Sequence, residues 1–320
     1  MTSNHFSSQP RPVIVPADAN GVAAAVAVLA AGGTVAVPTE TVYGLAARAD
    51  RDEAVAGIYR AKGRPDLNPL IVHVPDVEAA ERLAELDDRA HALAQAFWPG
   101  ALTMVLPRRD DCGLALAVSA GLPTVALRCP AHAVMQEVLR QSGLPLAAPS
   151  ANRSGAISPT AARHVVDSLG PRVDMVLDGG DTRQGIESTI VGLRPDGGWA
   201  LLRPGPITAD DIAAVLGEAA EQRPARGIEA PGQLASHYAP GKPVRLQAVE
   251  SQQDEFMIGF GAIAGHVTLS ASGDLAEAAA RLYACLHAGA AAPQARIAIA
   301  PVPDQGIGAA INDRLRRAAA

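Results

Sequence analysis

Thr34-Val35-Ala36-Val37-Pro38-Thr39-Glu40-Thr41-Val42-Tyr43-Gly44-Leu45 opens as an apolar run and continues into hydroxyls. The first four residues read as a short buried strand, and Pro38, with no N–H to give a ladder, ends it. Before them lies an alanine-rich helical segment, with Asn20 as the expected cap and Gly32-Gly33 as the expected stop. Beyond Pro38 come the hydroxyls of Thr39, Thr41 and Tyr43 and the carboxylate of Glu40. Such a cluster can hold an amino acid, although hydroxyl-rich strand ends are also common where no ligand binds.

Strands and helices alternate outward from this stretch. A helix with Asp52 and Glu53 in its first turn runs to about Ala61, followed by the loop Lys62-Gly63-Arg64-Pro65 and a strand over Leu70–Val74. Helical segments fall near 76–86, 88–97, 131–142 and 160–169. Strands fall at 102–106 and 124–128 and near 173–177, 188–193 and 199–203. That interleaving predicts α/β layers, and the uneven spacing predicts a mixed sheet. After a helix near 208–217, residues 218–242 are polar and aperiodic and read as a linker. From Val244 the pattern resumes with a strand, then a strand near 266–270, a helix near 274–288, a strand over Arg296–Ala300 and a helix near 308–318. This is a small α/β unit on the scale of a βαβ motif. The expected domains are 13–205, a linker or lid over 206–243, and 244–320.

Bulk composition agrees with two domains. The chain has 320 residues, nearly half of them apolar, and so few aromatics that Ala, Val, Leu and Ile must build the core. A net charge of −6 argues against holding nucleic acid by bulk electrostatics. No uncharged apolar run reaches the roughly eighteen residues of a membrane span, and the N-terminus lacks a secretory pattern. Cys112, Cys129 and Cys285 are widely spaced and read as thiols in a reducing compartment, so a cytoplasmic location is expected.

Of the 27 basic residues only Lys62 and Lys242 are lysines, which singles out Lys62 beside Gly63 and Arg64. Lys and Arg on a glycine-containing loop can neutralise a polyphosphate, or be an ordinary solvated turn. A cation on such a loop serves the site rather than the core, so replacing Lys62 is expected to leave the fold intact. Ala148-Pro149-Ser150-Ala151-Asn152 is a polar loop after an apolar segment, where α/β sheets bind ligands. Ser158-Pro159-Thr160 can cap the next helix, whose N-terminus favours anions. Asp178-Gly179-Gly180-Asp181 can bind a divalent ion or simply turn. His73 at a strand end reads by default as a core or edge histidine, and His91 and His164 carry no assignment. No Ser-His-Asp order or metal-ligand spacing suggests a covalent nucleophile or a metal centre.

Together these segments resemble the YrdC-like family. The resemblance rests on Thr34–Leu45, Lys62-Gly63-Arg64-Pro65 with Asn68-Pro69-Leu70, Trp98-Pro99-Gly100 with Leu102-Thr103, and Val125–Arg128. It continues through Ala148–Asn152, Glu187-Ser188-Thr189-Ile190 and Leu202-Arg203-Pro204-Gly205. His237-Tyr238-Ala239-Pro240 and the extra C-terminal unit resemble the two-domain threonylcarbamoyl-AMP synthases. The resemblance implies a twisted YrdC-like mixed sheet with helices plus a small Rossmann-like α/β domain. It implies synthesis of threonylcarbamoyl-AMP and pyrophosphate from L-threonine, bicarbonate or CO2, and ATP, with Mg2+ accompanying ATP. Downstream proteins would transfer the group to tRNA, whose own binding here would be weak or indirect, and no membrane is involved. Lys62, Arg64, Ser150 and Asn152 would surround the phosphates and reacting centre. Ser158, Arg203 and Tyr238 would hold the nucleotide, with Thr103 nearby. Thr39, His73, Arg128 and Ser188 would hold threonine, Arg128 pairing with its carboxylate. Ser236 stands where some relatives carry a basic residue. Two rival readings are carbamoyl transfer from carbamoyl phosphate and a non-catalytic RNA-binding module. The first lacks the expected accessory segments, and the second sits poorly with the acidic charge.

Overall fold

Residues 12–64, 68–194, 197–221 and 237–320 are described by the computed structural model. The polar N-terminal tail, Pro65, Pro231-Gly232, Ser236 and most of the expected linker lie outside them. The first part of the chain forms β1 (Val13–Pro16), α1 (Ala19–Ala30), β2 (Val35–Val37), β3 (Gly44–Arg48), α2 (Asp52–Lys62), β4 (Ile71–His73), α3 (Val77–Glu81) and α4 (Asp88–Phe97). Then come β5 (Leu102–Pro107), α5 (Leu116–Ser119), β6 (Thr124–Arg128), α6 (Ala133–Ser142), β7 (Leu146–Ala147), α7 (Ala162–Leu169), β8 (Met175–Asp178), β9 (Thr189–Leu193), β10 (Trp199–Arg203) and α8 (Ala209–Leu216). The remainder forms β11 (Val244–Arg245), β12 (Glu255–Gly259), β13 (Val267–Thr268), α9 (Leu275–Ala291), β14 (Arg296–Ile299) and α10 (Ile307–Ala318).

Ten strands join in the order β1-β8-β2-β3-β7-β4-β6-β5-β9-β10. The sheet is mixed, as the uneven spacing implied: β4 runs parallel to β6 and β5 to β9, whereas β2–β3, β5–β6 and β9–β10 are antiparallel. Successive residues of β2 serve opposite faces. Val35 and Val37 pack with Leu29 of α1 and Met135 and Val138 of α6, while Ala36 faces Leu45, Val55, Ile58 and Leu93. The second sheet, β11-β14-β12-β13, is parallel throughout and carries α9 and α10.

Several local expectations shift. Asp18, not Asn20, caps α1, its extended backbone letting Oδ1 accept from Gly21 N at 2.9 Å. The expected helix over 76–86 stops at Glu81, because the chain beyond it bridges Ala84 to Arg108 beside the end of β5. β1, β3, β7 and β12 were not foreseen. β3 (Gly-Leu-Ala-Ala-Arg) has neither alternation nor β-branching and is a strand only because β2 and β7 flank it. Lys242 serves the second unit, donating to Gly289 O and Ala292 O at the end of α9. The two units meet face to face, His164 of α7 stacking on His287 of α9 with ring centroids 3.8 Å apart.

Candidate active site

Sheet register builds the site's floor. His73 pairs with Arg128, Arg128 with Thr103, Thr103 with Ile190, and Ile190 with Arg203. One row across five strands therefore carries four of the residues singled out from sequence. His73, Arg128 and Arg203 close β4, β6 and β10, while Thr103 and Ile190 stand near the start of β5 and β9. The row therefore lies along one end of the sheet, at the carboxyl ends of the parallel pair β4 and β6, where α/β sheets take ligands.

Val55, Ile58, Tyr59 and Lys62 recur at helical spacing on the buried face of α2. Lys62 is thus the last residue of a helix, 3% exposed, rather than a loop cation. Gly63 follows in the left-handed region (φ 59°), which lets the chain leave directly after it. The Lys62 ammonium donates to Ser150 O at 2.5 Å, Asn152 O at 2.7 Å and Asn152 Oδ1 at 3.3 Å. Burial, with Arg64 adding to it, pushes its pKa well down. Arg64 donates to Pro69 O at 3.0 Å, and burial lowers its pKa to about 10.

The remaining polar residues are closely bound to one another. Arg128 donates through Nη2 to Glu40 Oε1 at 2.6 Å and through Nε to Gly100 O at 3.2 Å, while Glu40 Oε2 accepts from Ala131 N. Thr39 Oγ1 donates to Val42 O and meets Thr41 Oγ1 at 2.8 Å. Thr103 Oγ1 and Ser188 Oγ are 2.8 Å apart, and Arg203 gives Nη2 to that same Ser188 hydroxyl. Ser158 Oγ donates to Glu187 Oε1 at 2.5 Å. His73 Nδ1 is buried with no hydrogen-bond partner among the described residues, and burial followed by Arg128 brings its pKa to about 3. The neutral imidazole lines the cleft while its Nδ1 lies buried behind the wall.

Arg64, His73, Arg128, Ser150, Ser188, Arg203 and Tyr238 line one cleft. Lys62, Asn152, Thr39, Thr103 and Ser158 are not on its wall. They stand behind it, each bonded to its neighbours as described. Thr41, Glu187 and His237 also line the cleft; the sequence places Thr41 in the hydroxyl cluster that can hold an amino acid and gives Glu187 and His237 no separate role. Of the supporting side chains, Glu40, which pairs with Arg128, belongs to that same cluster, whereas Tyr283 of α9 and Arg314 of α10, which bond Glu187, carry no assignment. Glu40 and Glu187 lie inside the quoted motifs and were within reach, whereas nothing in the spelling of α9 or α10 marks Tyr283 or Arg314. Asp178-Gly179-Gly180-Asp181 is a turn: Asp178 Oδ1 accepts from Gly180 N at 3.0 Å, and Gly180 O accepts from Tyr43 Oη at 2.7 Å. Among the described residues no three His, Cys, Asp or Glu side chains gather as a metal site, and no helix is long and apolar enough to cross a membrane.

An arginine-walled cleft at strand ends of a mixed sheet defines an α/β protein whose candidate site is suited to anionic ligands. Residues 27–205 match the family model described as telomere recombination, which groups Sua5-, YciO- and YrdC-type proteins. Residues 207–320 match the threonylcarbamoyl-AMP synthase C-terminal domain. The chain belongs to the threonylcarbamoyl-AMP synthase family. It is 41% identical to the threonylcarbamoyl-AMP synthase of Bacillus subtilis, over 93% of this chain and 92% of that one. It is 43% identical to that of Pyrococcus abyssi, over 70% of this chain and 66% of that one. The crystal structure of P. abyssi Sua5 complexed with L-threonine superposes with a TM-score of 0.85 at 35% identity, covering 96% of each chain. The fold expectation, a YrdC-like twisted mixed sheet with helices plus a small C-terminal Rossmann-like α/β domain, holds.

Proposed function

We infer that this enzyme condenses L-threonine, bicarbonate or CO2, and ATP into threonylcarbamoyl-AMP, releasing pyrophosphate. The observation that carries the reading is the convergence of Arg64, Arg128 and Arg203 on one cleft. The reaction brings together a carboxylate, a carbamate and a triphosphate, and guanidinium forks match all three. Carbamate attack on the α-phosphate needs charge stabilisation and alignment, which fixed donors supply without a protein nucleophile.

In this reading Arg128, held by Glu40, takes the threonine carboxylate. His73 and Ser188 bound the same pocket, with Thr39 shaping it through Thr41. Arg64, Ser150 and Arg203 take the nucleotide and reacting centre, Tyr238 walls the nucleotide, and Lys62 with Asn152 fixes the Ser150 loop. Ser158 holds the nucleotide from behind Glu187, and Thr103 orients Ser188. Mg2+ would arrive with ATP. The nearby carboxylates Glu40 and Glu187 are both engaged by arginines, a donor set that suits a metal carried by phosphate and water with no assigned protein ligand. Residues 13–205 form the catalytic domain, 206–243 the linker or lid, whose first part, α8, packs through Ile212 into the core of the first unit, and 244–320 the smaller domain. The product would pass in the cytoplasm to proteins that transfer threonylcarbamoyl to tRNA.

The test is the mass of the nucleotide product. Threonylcarbamoyl-AMP and pyrophosphate should form only when threonine and bicarbonate are both present. Equal turnover without threonine, or release of ADP, would overturn the reading.

A further inference from the structure

Glu187 is a carboxylate on the wall of a cleft assigned to a triphosphate. Left alone there it would repel the substrate, and burial would make its charge costly. Its two oxygens are partitioned between the two halves of the molecule. Oε1 accepts from Ser158 on the catalytic side. Oε2 accepts from Tyr283 Oη of α9 at 2.8 Å and from Arg314 Nε of α10 at 3.2 Å. Arg314 is fully buried, and its Nη1 reaches back to Pro204 O, next to Arg203. The approach depends on Gly185. At φ 71° it lies so near α9 that a Cβ would stand 2.3 Å from Ala280 O.

We propose that Arg314 and Tyr283 are positioning residues of the nucleotide site, through which the C-terminal unit neutralises Glu187 and orients the Ser158 hydroxyl. ATP affinity then depends on two side chains that do not touch ATP. The inference rests on the functional reading above, specifically on the nucleotide lying beside Glu187 and Ser158. Arg203 also acts on Glu187 through its charge, but its Nε and Nη2 donate to Ser188, so the direct guanidinium bond to Oε2 comes from Arg314. The other charged or titratable groups acting on Glu187 are Lys62 of α2 and His237 and Tyr238 before β11.

The full-length protein tests this by calorimetric titration with ATP and by separate KM values for ATP and threonine. Tyr283→Phe deletes one hydroxyl and keeps the ring. It should weaken ATP binding about fivefold while leaving KM for threonine unchanged. Arg314→Gln should weaken ATP binding about a hundredfold. Adding Glu187→Gln to Arg314→Gln should restore at least about tenfold of that loss, because the unpaired charge is gone. In Arg314→Gln alone, ATP should bind more tightly as pH falls from about 8 to about 6 and Glu187 takes up a proton; the double variant should lose this dependence. A purely structural contact would lower the melting temperature of each variant without rescue or pH dependence. Wild-type ATP affinity in Tyr283→Phe, or a double variant no better than Arg314→Gln, overturns the proposal. Variants that show these ATP effects beside a wild-type protein that makes no threonylcarbamoyl-AMP support the positioning role and sink the functional reading instead.

Discussion

The Lys62 ammonium and the Asn152 backbone oxygen lie 2.7 Å apart although ninety residues separate them in sequence. Together with the bond to Ser150 O, this contact ties the end of α2 to the loop after β7. Lys62 therefore has a structural role that a loop cation would not have. Lys62→Ala should abolish synthesis and also cost about 1–3 kcal/mol of stability, since buried carbonyls lose their donor. Lys62→Arg should fail as well, because a planar fork cannot replace three converging N–H groups in that space. Thermal melts beside product assays check this, and a Lys62→Ala protein melting like wild type would show that other bonds hold the loop.

Glu40 and Arg128 form an ion pair that is almost fully buried, 2.6 Å long. Burial tends to raise the Glu40 pKa, but Arg128 and the Ala131 amide outweigh it and hold the carboxyl below its usual range. Glu40→Ala strands a guanidinium in the interior, so about 3–5 kcal/mol of stability should be lost. Threonine should bind much more weakly, with KM for ATP little changed. Urea denaturation and paired KM measurements give the answer, and an equal rise in both KM values would place Arg128 outside the threonine pocket.

Much of this architecture was readable from pattern, and the misses have a common cause. Strands such as Leu102–Pro107 and Thr124–Arg128 are apolar runs bounded by turn residues, and they appear where expected. β3 and β7 are short and alanine-rich, so only their neighbours make them strands. Lys62 shows a signal that was present but overridden. It continues the Val55, Ile58, Tyr59 spacing, yet its charge suggested a loop. The cleft residues were legible by family motif. Their supports were not, because Arg314 reaches Glu187 from 127 residues away and no local pattern encodes such a contact.

Acid should weaken the join between the two units through Glu187. Burial alone would raise its pKa, but Arg314, Arg203, Ser158 and Tyr283 bring it to about 2, below the ordinary 4.5. A carboxyl depressed by folding contributes stability that is complete above about pH 4.5 and is lost as pH falls towards 2. A shift of that size corresponds to about 3 kcal/mol. Acid titrations followed by near-ultraviolet circular dichroism should show Glu187→Gln with a flatter stability profile across that window. Identical profiles would mean that other carboxyls govern acid unfolding.

Tyr238 joins the cleft to the interface between the two units. Its backbone sits at φ 65°, a region that non-glycine residues occupy only when their surroundings hold them there. Both neighbours are pinned: His237 N donates to Arg317 O of α10, and Ala239 N donates to Gly155 O of the catalytic unit. The ring is 1% exposed, packs 5.4 Å from Tyr283 and lies under the Arg314 guanidinium. Its cluster draws Val42 and Ile157 from one unit and Tyr283 from the other. The sequence favours a lid for the His237-Tyr238 pair over a wedge packed between the units, and this placement supports the wedge instead. A wedge and a lid differ in what they do to wasted ATP. Tyr238→Ala should open a cavity, cost about 3–5 kcal/mol and raise KM for ATP, because the ring is also a wall of the cleft. Tyr238→Phe keeps the wall and should retain most activity. If the ring instead shields an activated acyl-phosphate from water, Tyr238→Ala would hydrolyse ATP without accumulating threonylcarbamoyl-AMP, and its melting temperature would stay near wild type. The ratio of pyrophosphate to intermediate, read beside the melting curve, separates the two.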